Sequence, residues 1–215
     1  MSEAAINASL RLNELLEEAG QPSLAAAIAA RFAEYLSLLV RWNARVNLTA
    51  IRDEEGILSR HFVESIACAR ALPAGISTLL DYGSGAGFPG IPIALCRPEI
   101  SVTLAESQGK KAAFLQEAAR VLGLSAKVHG QRAELLTTSF DCVTLRAVDH
   151  MQQAVSAASH LVAPAGWLAP MTTGSELEGV KAAAGEGFAW GTPVGLPGGE
   201  DRIVALGKRK PNSPA

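Results

Sequence analysis

The sequence predicts an α/β fold: a mostly parallel sheet with crossover helices, preceded by a helical extension. Three observations carry that expectation. Beyond Pro73, short β-branched and aliphatic runs alternate with Ala-rich segments of helical period. The first of those runs passes directly into a glycine cluster, "DYGSGAGFPG", Asp81 to Gly90. Residues 1–73, by contrast, show helical spacing alone.

The elements follow in order. "MSEAAINASLRLNELLEEAG" is an acidic amphipathic helix stopping at Gly20. It lacks the basic start and apolar core of a secretory signal, so it is expected to stay in the mature protein. From Pro22 to Asn43, Leu24, Ile28, Phe32, Tyr35, Leu36 and Leu39 recur at helical spacing, which predicts a second helix with Pro22 in its first turn. A third is expected to start at an Asp53 N-cap, with Glu54 and Glu55 in its first turn, and to carry Ile57, Phe62 and Ile66 towards Pro73. The runs "STLLDY", "SVTLAE", "AKVHG", "FDCVTLRAV" and "GWLAPMT" read as five parallel strands. Between or after them lie the helices "QGKKAAFLQEAARVLGL", "DHMQQAVSAASHLVAP" and the glycine-interrupted "SELEGVKAAAGEG". "FAWGTPVGLPGGEDRIVALGKRK" reads as two more strands around a "LPGGED" turn, giving a seven-stranded sheet with an antiparallel edge strand. The expected organisation is an N-terminal helical extension over 1–73 packed on the core, an α/β domain over 74–208, and a flexible tail over 209–215.

Composition narrows the function classes. At 215 residues and 48% hydrophobic, the chain suits one domain with an appendage. Three widely spaced cysteines, without a Cys-x-x-Cys pair, encode neither a disulfide framework nor a zinc site, so no metal and a cytoplasmic setting are expected. The most apolar window, Ala154 to Met171, is interrupted by His160 and Pro164, and no membrane helix is expected. A net charge of -2 argues against nonspecific coating of nucleic acid and leaves room for a local basic patch.

The glycine cluster is where chemistry enters. Gly83, Gly85 and Gly87 lie between the end of a strand and the start of a helix, a place where bare backbone N–H groups can approach a ligand. Glu106 closes the next strand, where an acidic side chain can hold both hydroxyls of a ribose. A nicotinamide dinucleotide and S-adenosylmethionine both use this arrangement. The Asp-x-Gly-x-Gly-x-Gly spacing from Asp81 is tighter than the dinucleotide fingerprint, and Asp81 itself is expected to shape the turn. Arg146 ends an otherwise apolar strand, where a charge is costly unless it faces a polar crevice. Asn47 and Thr49 in "RVNLTAI" fit either a site role or ordinary capping and turn positions, and His61 fits either a site role or a packing position on its helix.

Taken together, "GSGAGFPGIP", "YLSLLVRWNARVNLTAI", "RHFVESI", "TLAESQGKKAAFL", "GQRAE" and "FDCVTLRAV" resemble the bacterial 16S ribosomal RNA guanine-N7 methyltransferases, the RsmG or glucose-inhibited division protein B family. The resemblance implies a class I Rossmann-like fold and S-adenosylmethionine as cofactor. It implies that Gly83 and Phe88, with Gly85 and Gly87 of the same turn, contact the cofactor, that Ala133 and Glu134 flank its adenine, and that Arg146 lies at its methionine end. Glu106 takes the ribose role, where most members have Asp. The implied reaction moves a methyl group to N7 of a guanine in the loop of 16S ribosomal RNA that the family modifies. N7 already has a lone pair, so no general base is needed, and Arg146 and Asn47 are expected to position the reactants. The implied partner is 16S ribosomal RNA or an assembling small subunit, met by a monomer, with Arg41, Arg45, Arg52, Arg60 and Lys208 to Lys210 as candidate phosphate contacts. One departure stands out: the family usually has a Lys-Gly pair after the fifth strand, and this chain has Thr172 and Thr173. Three rivals remain: a nicotinamide-dependent oxidoreductase, a silent RNA-binding module, and a methyltransferase of the same fold with another RNA, a protein or a small molecule as substrate.

Overall fold

The computed structural model describes residues 2–199 and 201–211. Helix α1 (Glu3–Glu18) is capped by the Ser2 hydroxyl, which accepts from Ala5 N, and buries Leu12, Leu15 and Leu16. Helix α2 (Ala26–Asn43) starts at Ala26, later than the expected Pro22 turn. The Asn13 amide grips the preceding stretch, accepting from Leu24 N at 2.8 Å and donating to Leu24 O at 3.2 Å, while Arg70 donates to Pro22 O. These bonds hold it outside the helix.

The third helical segment begins at Asp53, whose carboxylate accepts from Gly56 N at 2.6 Å. It is not one regular helix. A single α-turn, α3 (Glu54–Gly56), gives way to a π-helix over Ile57–Val63, and α4 (Glu64–Ala71) resumes the ordinary pitch. The pairs Ile57/Phe62 and Leu58/Val63, each five residues apart, are buried, matching the wider turn.

The parallel part of the sheet has the order β3-β2-β1-β4-β5, from β1 (Thr78–Tyr82), β2 (Ser101–Ala105), β3 (Lys127–His129), β4 (Phe140–Arg146) and β5 (Val162–Thr173). Helices α5 (Gly90–Cys96), α6 (Gly109–Val121) and α7 (Met151–Ser159) form the crossovers, and α8 (Leu177–Ala184) follows β5. The two strands expected at the C-terminal end are each broken in two: β6 (Phe188–Trp190) and β7 (Val194–Gly195), then β8 (Arg202–Val204) and β9 (Gly207–Arg209). β8 and β9 pair antiparallel with β5 on either side of Pro170. Pro170 has no N–H to give the ladder, which explains the break.

One apolar cluster joins the N-terminal helices to the sheet, with Phe32, Tyr35 and Phe62 packed in the same core as Leu79, Ile91, Leu104 and Phe114. A second, containing Val143, Leu145, Val155 and Val180, fills the other face beneath α7 and α8. The expected tail needs correction at its start. Arg209 is buried within β9 and donates to Val162 O, and Lys210 N donates to Gly187 O, so the chain is still paired there. Residues 212–215 of that tail lie outside the described residues.

Candidate active site

The C-terminal ends of the parallel strands are in register, with Tyr82 of β1 level with Ala105 of β2 and Leu145 of β4. A cavity of about 990 Å³ opens there. It is the crevice that an open α/β sheet offers a ligand beyond its strand ends.

The glycine turn forms one wall. Ser84 N donates to Ala105 O and fixes the turn to the end of β2. Gly83, Gly85 and Gly87 all have positive φ, at +68°, +55° and +94°. Their surroundings differ. A Cβ on Gly85 would meet nothing nearer than 3.9 Å, so the space before that backbone is open cavity. A Cβ on Gly87 would lie 2.5 Å from Ile91 Cδ1 and 2.8 Å from the Tyr35 hydroxyl. Gly87 does not line the cavity, and the contact expected of it is replaced by close packing. Asp81 sits wholly buried beneath the turn, accepting from Gly90 N at 3.2 Å and from the Thr144 hydroxyl at 3.1 Å. Burial pushes its carboxyl up to about 6.

Glu106 closes the same half of the cavity. One carboxylate oxygen accepts from Gly85 N at 2.9 Å and the other from Gln108 N at 2.7 Å. The longer side chain thus reaches the turn itself, and each oxygen keeps a lone pair for a ligand hydroxyl. Ala133 and Glu134 line this half from a short 3₁₀ turn, where the Tyr82 hydroxyl donates to Glu134 at 2.7 Å and holds its carboxyl below the usual range.

The other half is built from the N-terminal helices and Arg146, at the end of β4. The Arg146 guanidinium donates to Glu64 at 2.5 Å, to Arg60 O at 2.9 Å and to His61 Nδ1 at 3.2 Å. Glu64 is 1% exposed and is shared with Arg202, 3.4 Å away. Burial raises its carboxyl while Arg146 and Arg202 oppose that, and its second oxygen, Oε1, has no hydrogen-bond partner among the described residues. His61 stacks on Phe88 with ring centroids 4.7 Å apart, and burial, with Arg146, Arg60 and Arg202 nearby, pushes its pKa down to about 3. Phe88 therefore lies between the two halves.

Of the residues singled out from the sequence, Gly83, Gly85, Phe88, Glu106, Ala133, Glu134 and Arg146 line this one cavity, and Asn47 does not. Asn47 is exposed, and its amide oxygen accepts from Arg52 at 2.8 Å. Thr49, two residues on, lines the cavity instead. Sequence reasoning missed Glu64 and Arg202, whose only prior signal was charge. It also missed Asn43, which accepts from Leu48 N and Thr49 N and donates to Thr49 O. Thr172 and Thr173 both donate to Glu176 at 3.0 Å, and the positive charge near them comes from Arg202, paired with Thr173 across the β5–β8 ladder. Among the described residues, no group of three or more His, Cys, Asp or Glu side chains could hold a metal, and no helix is long and apolar enough to cross a membrane.

Solved structures share this architecture. A methyltransferase from Pyrococcus furiosus superposes with a TM-score of 0.61 at 13% identity, covering 84% of this chain and 98% of that one. A Thermus thermophilus 16S rRNA methyltransferase, solved in complex with AdoMet and guanosine, gives 0.55 at 16% identity, over 73% of this chain and 41% of that one. Sheet order and strand-end cavity thus define a Rossmann-like α/β fold with its ligand crevice at the strand ends. Sequence similarity is more specific. The family described as "GidB: rRNA small subunit methyltransferase G" matches residues 28–185. "Ribosomal RNA small subunit methyltransferase G" of Xanthomonas euvesicatoria is 42% identical over 193 residues, 86% of this chain and 90% of the relative. Its counterpart in Stenotrophomonas maltophilia is 41% identical over 189 residues, 85% and 88% of the two chains. The chain belongs to the GidB family of rRNA small subunit methyltransferases.

Proposed function

We propose that this enzyme methylates N7 of a guanine in 16S ribosomal RNA, with S-adenosylmethionine as donor, acting as a monomer on the RNA or an assembling small subunit. The observation that carries this is the joining, in one cavity, of a ribose-and-glycine half with a half rich in hydrogen-bond donors. The first half fits the cofactor: Gly85 leaves open space before its backbone, and Glu106 retains acceptor capacity beside it. Gly83, Gly85, Phe88, Glu106, Ala133 and Glu134 would hold the cofactor, with Arg146 at the boundary. Residues 1–73 act as an extension that completes the second half.

When bound, S-adenosylmethionine supplies an electrophilic methyl group. N7 of guanine attacks through its own lone pair and loses no proton, so the chain has only to align and to exclude water. The groups beside Arg146 suit that limited role. Both His61 ring nitrogens are engaged, and Glu64 is bound to two arginines.

Calorimetric titration of the purified protein is expected to show binding of S-adenosylmethionine, or of its demethylated product, and no binding of NAD. Gly85→Val should abolish it by filling the open space. Mapping of methylated guanines in 16S ribosomal RNA from cells with and without the gene identifies the acceptor. Preference for NAD, or an unchanged methylation map, would overturn the proposal.

A further inference from the structure

Thr49 lies in the donor-rich half of the cavity, on the loop fastened by Asn43. The direction of every hydrogen bond around its hydroxyl can be worked out. An arginine can only donate, so the 3.2 Å bond from Arg146 Nη1 makes His61 Nδ1 an acceptor without a hydrogen. His61 is neutral, held so by burial and by its arginine neighbours, so its single hydrogen is on Nε2. That nitrogen is 2.7 Å from Thr49 Oγ1 and donates to it. Ile51 N donates to the same oxygen at 3.2 Å. Both lone pairs of the hydroxyl are thereby occupied, and its own hydrogen has no acceptor among the described residues. A threonine hydroxyl ordinarily donates or accepts as its ligand requires; this one can only donate.

We infer that the Thr49 hydroxyl donates to O6 of the target guanine and makes the site selective for a 6-keto purine. The inference rests on the guanine-N7 proposal and goes beyond it. O6 is the acceptor next to N7 on the same edge of the base, so a donor there fixes the ring in its plane without covering the nitrogen that must attack. Adenine presents an amino group at that position. Two donors would then face each other, and the network of His61 and Ile51 prevents the hydroxyl from reversing its role. Discrimination of this kind arises because a polar group loses its partner, and it is worth about one hydrogen bond. The rival acceptor is the carboxylate of the cofactor. Thr49 lines the cavity with Arg60, His61, Glu64 and Arg146, and its hydroxyl is bonded to His61, whose ring stacks on Phe88. The charged group suited to a carboxylate is Arg146, so the neutral hydroxyl is assigned to the neutral keto oxygen.

The test uses RNA fragments with guanine, inosine or 2-aminopurine at the mapped target position. Inosine keeps O6 and lacks the amino group at position 2; 2-aminopurine keeps that amino group and lacks O6. The natural protein should methylate guanine and inosine alike, and 2-aminopurine with kcat/KM lower by about tenfold, the worth of one hydrogen bond. Thr49→Val should lower guanine and inosine to the 2-aminopurine level and erase the difference among the three bases. Thr49→Ser should retain it, and neither variant should change S-adenosylmethionine affinity. If Thr49→Val lowers all three substrates in parallel, or weakens cofactor binding, the assignment to O6 is overturned. Absence of guanine methylation by the natural protein overturns the parent proposal as well, and that outcome is distinguishable from the other two because it appears before any substitution.

Discussion

Asp81, wholly buried under the glycine turn, has its carboxyl pushed from 3.8 to about 6, and His61 is pushed from 6.5 to about 3. Both shifts come first from burial, yet their effects on stability have opposite signs. Asp81 binds a proton more readily folded than unfolded, so its contribution is full below about pH 4 and is lost as pH rises through about 6. His61 binds a proton more readily unfolded, so its contribution is present above about pH 6.5 and is lost as pH falls towards about 3. Between about pH 6 and about pH 4 each changes stability by about 1.4 kcal/mol per pH unit, and the two nearly cancel. Urea unfolding across that range should separate them. Relative to the natural protein, Asp81→Asn should lose the stabilising response to acid, and His61→Gln should lose the destabilising one. Superimposable pH profiles for the three proteins would show that neither shift exists. That Gly83, Gly85 and Glu106 would meet at one crevice was legible in the sequence because the signal is local, in residues without a side chain and an acid at a strand end. The titration of His61 was not, because its three arginine neighbours come from residues 60, 146 and 202.

The π-helix over Ile57–Val63 lies in the segment that carries Arg60 and His61 and leads directly into Glu64. All three residues meet Arg146. Wider turns of this kind recur at functional sites, and here the turn belongs to the donor-rich half of the cavity. The sequence pattern gave one continuous helix from Asp53, since apolar spacing of three to five residues fits either pitch. The broken edge strands escaped it for a related reason. Pro170 is visible, but which residues stand opposite it depends on register across the sheet. The element that joins the two halves most directly is α2, through Tyr35. Its buried hydroxyl donates to Ala86 O at 2.5 Å, inside the glycine turn, and its ring stacks on Phe62 with centroids 5.2 Å apart. Tyr35→Phe leaves the stacking and deprives the carbonyl of its donor. The expected cost is about 1 to 3 kcal/mol of stability, together with weaker cofactor binding because the turn loses its anchor. Denaturant midpoints and calorimetric affinities measured on the same preparation check both, and unchanged values would place the turn's rigidity in its backbone bonds alone.

At the scale of the whole molecule, a protein of net charge -2 must meet a polyanion through local charge. Several arginines expected at that surface are engaged elsewhere. Arg41 pairs with Glu117 at 3.2 Å and Arg52 bonds Asn47 at 2.8 Å. The cluster of Arg146, Arg202 and Glu64, by contrast, has, among the described residues, two cations paired with one buried carboxylate, a net of one positive charge. Arg202 is the more accessible of the two, with 34% of its side chain exposed against 9% for Arg146. From the sequence, Thr172 marked a missing charge. The structure places Arg202 opposite Thr173 on the neighbouring strand, a neighbour that only the β5–β8 pairing makes visible. A lysine at 172 would face Glu176, which already accepts from Thr172 and Thr173, and would be neutralised there. The salt dependence of RNA binding distinguishes these positions. Arg202→Gln should reduce the slope of log affinity against log salt by about 0.7 to 0.9, the loss of one phosphate contact. Thr172→Lys should leave the slope unchanged, and cofactor affinity should stay constant in both variants. A steeper slope in Thr172→Lys together with no change in Arg202→Gln would return the missing contact to the end of β5 and leave Arg202 with only its bond to Glu64.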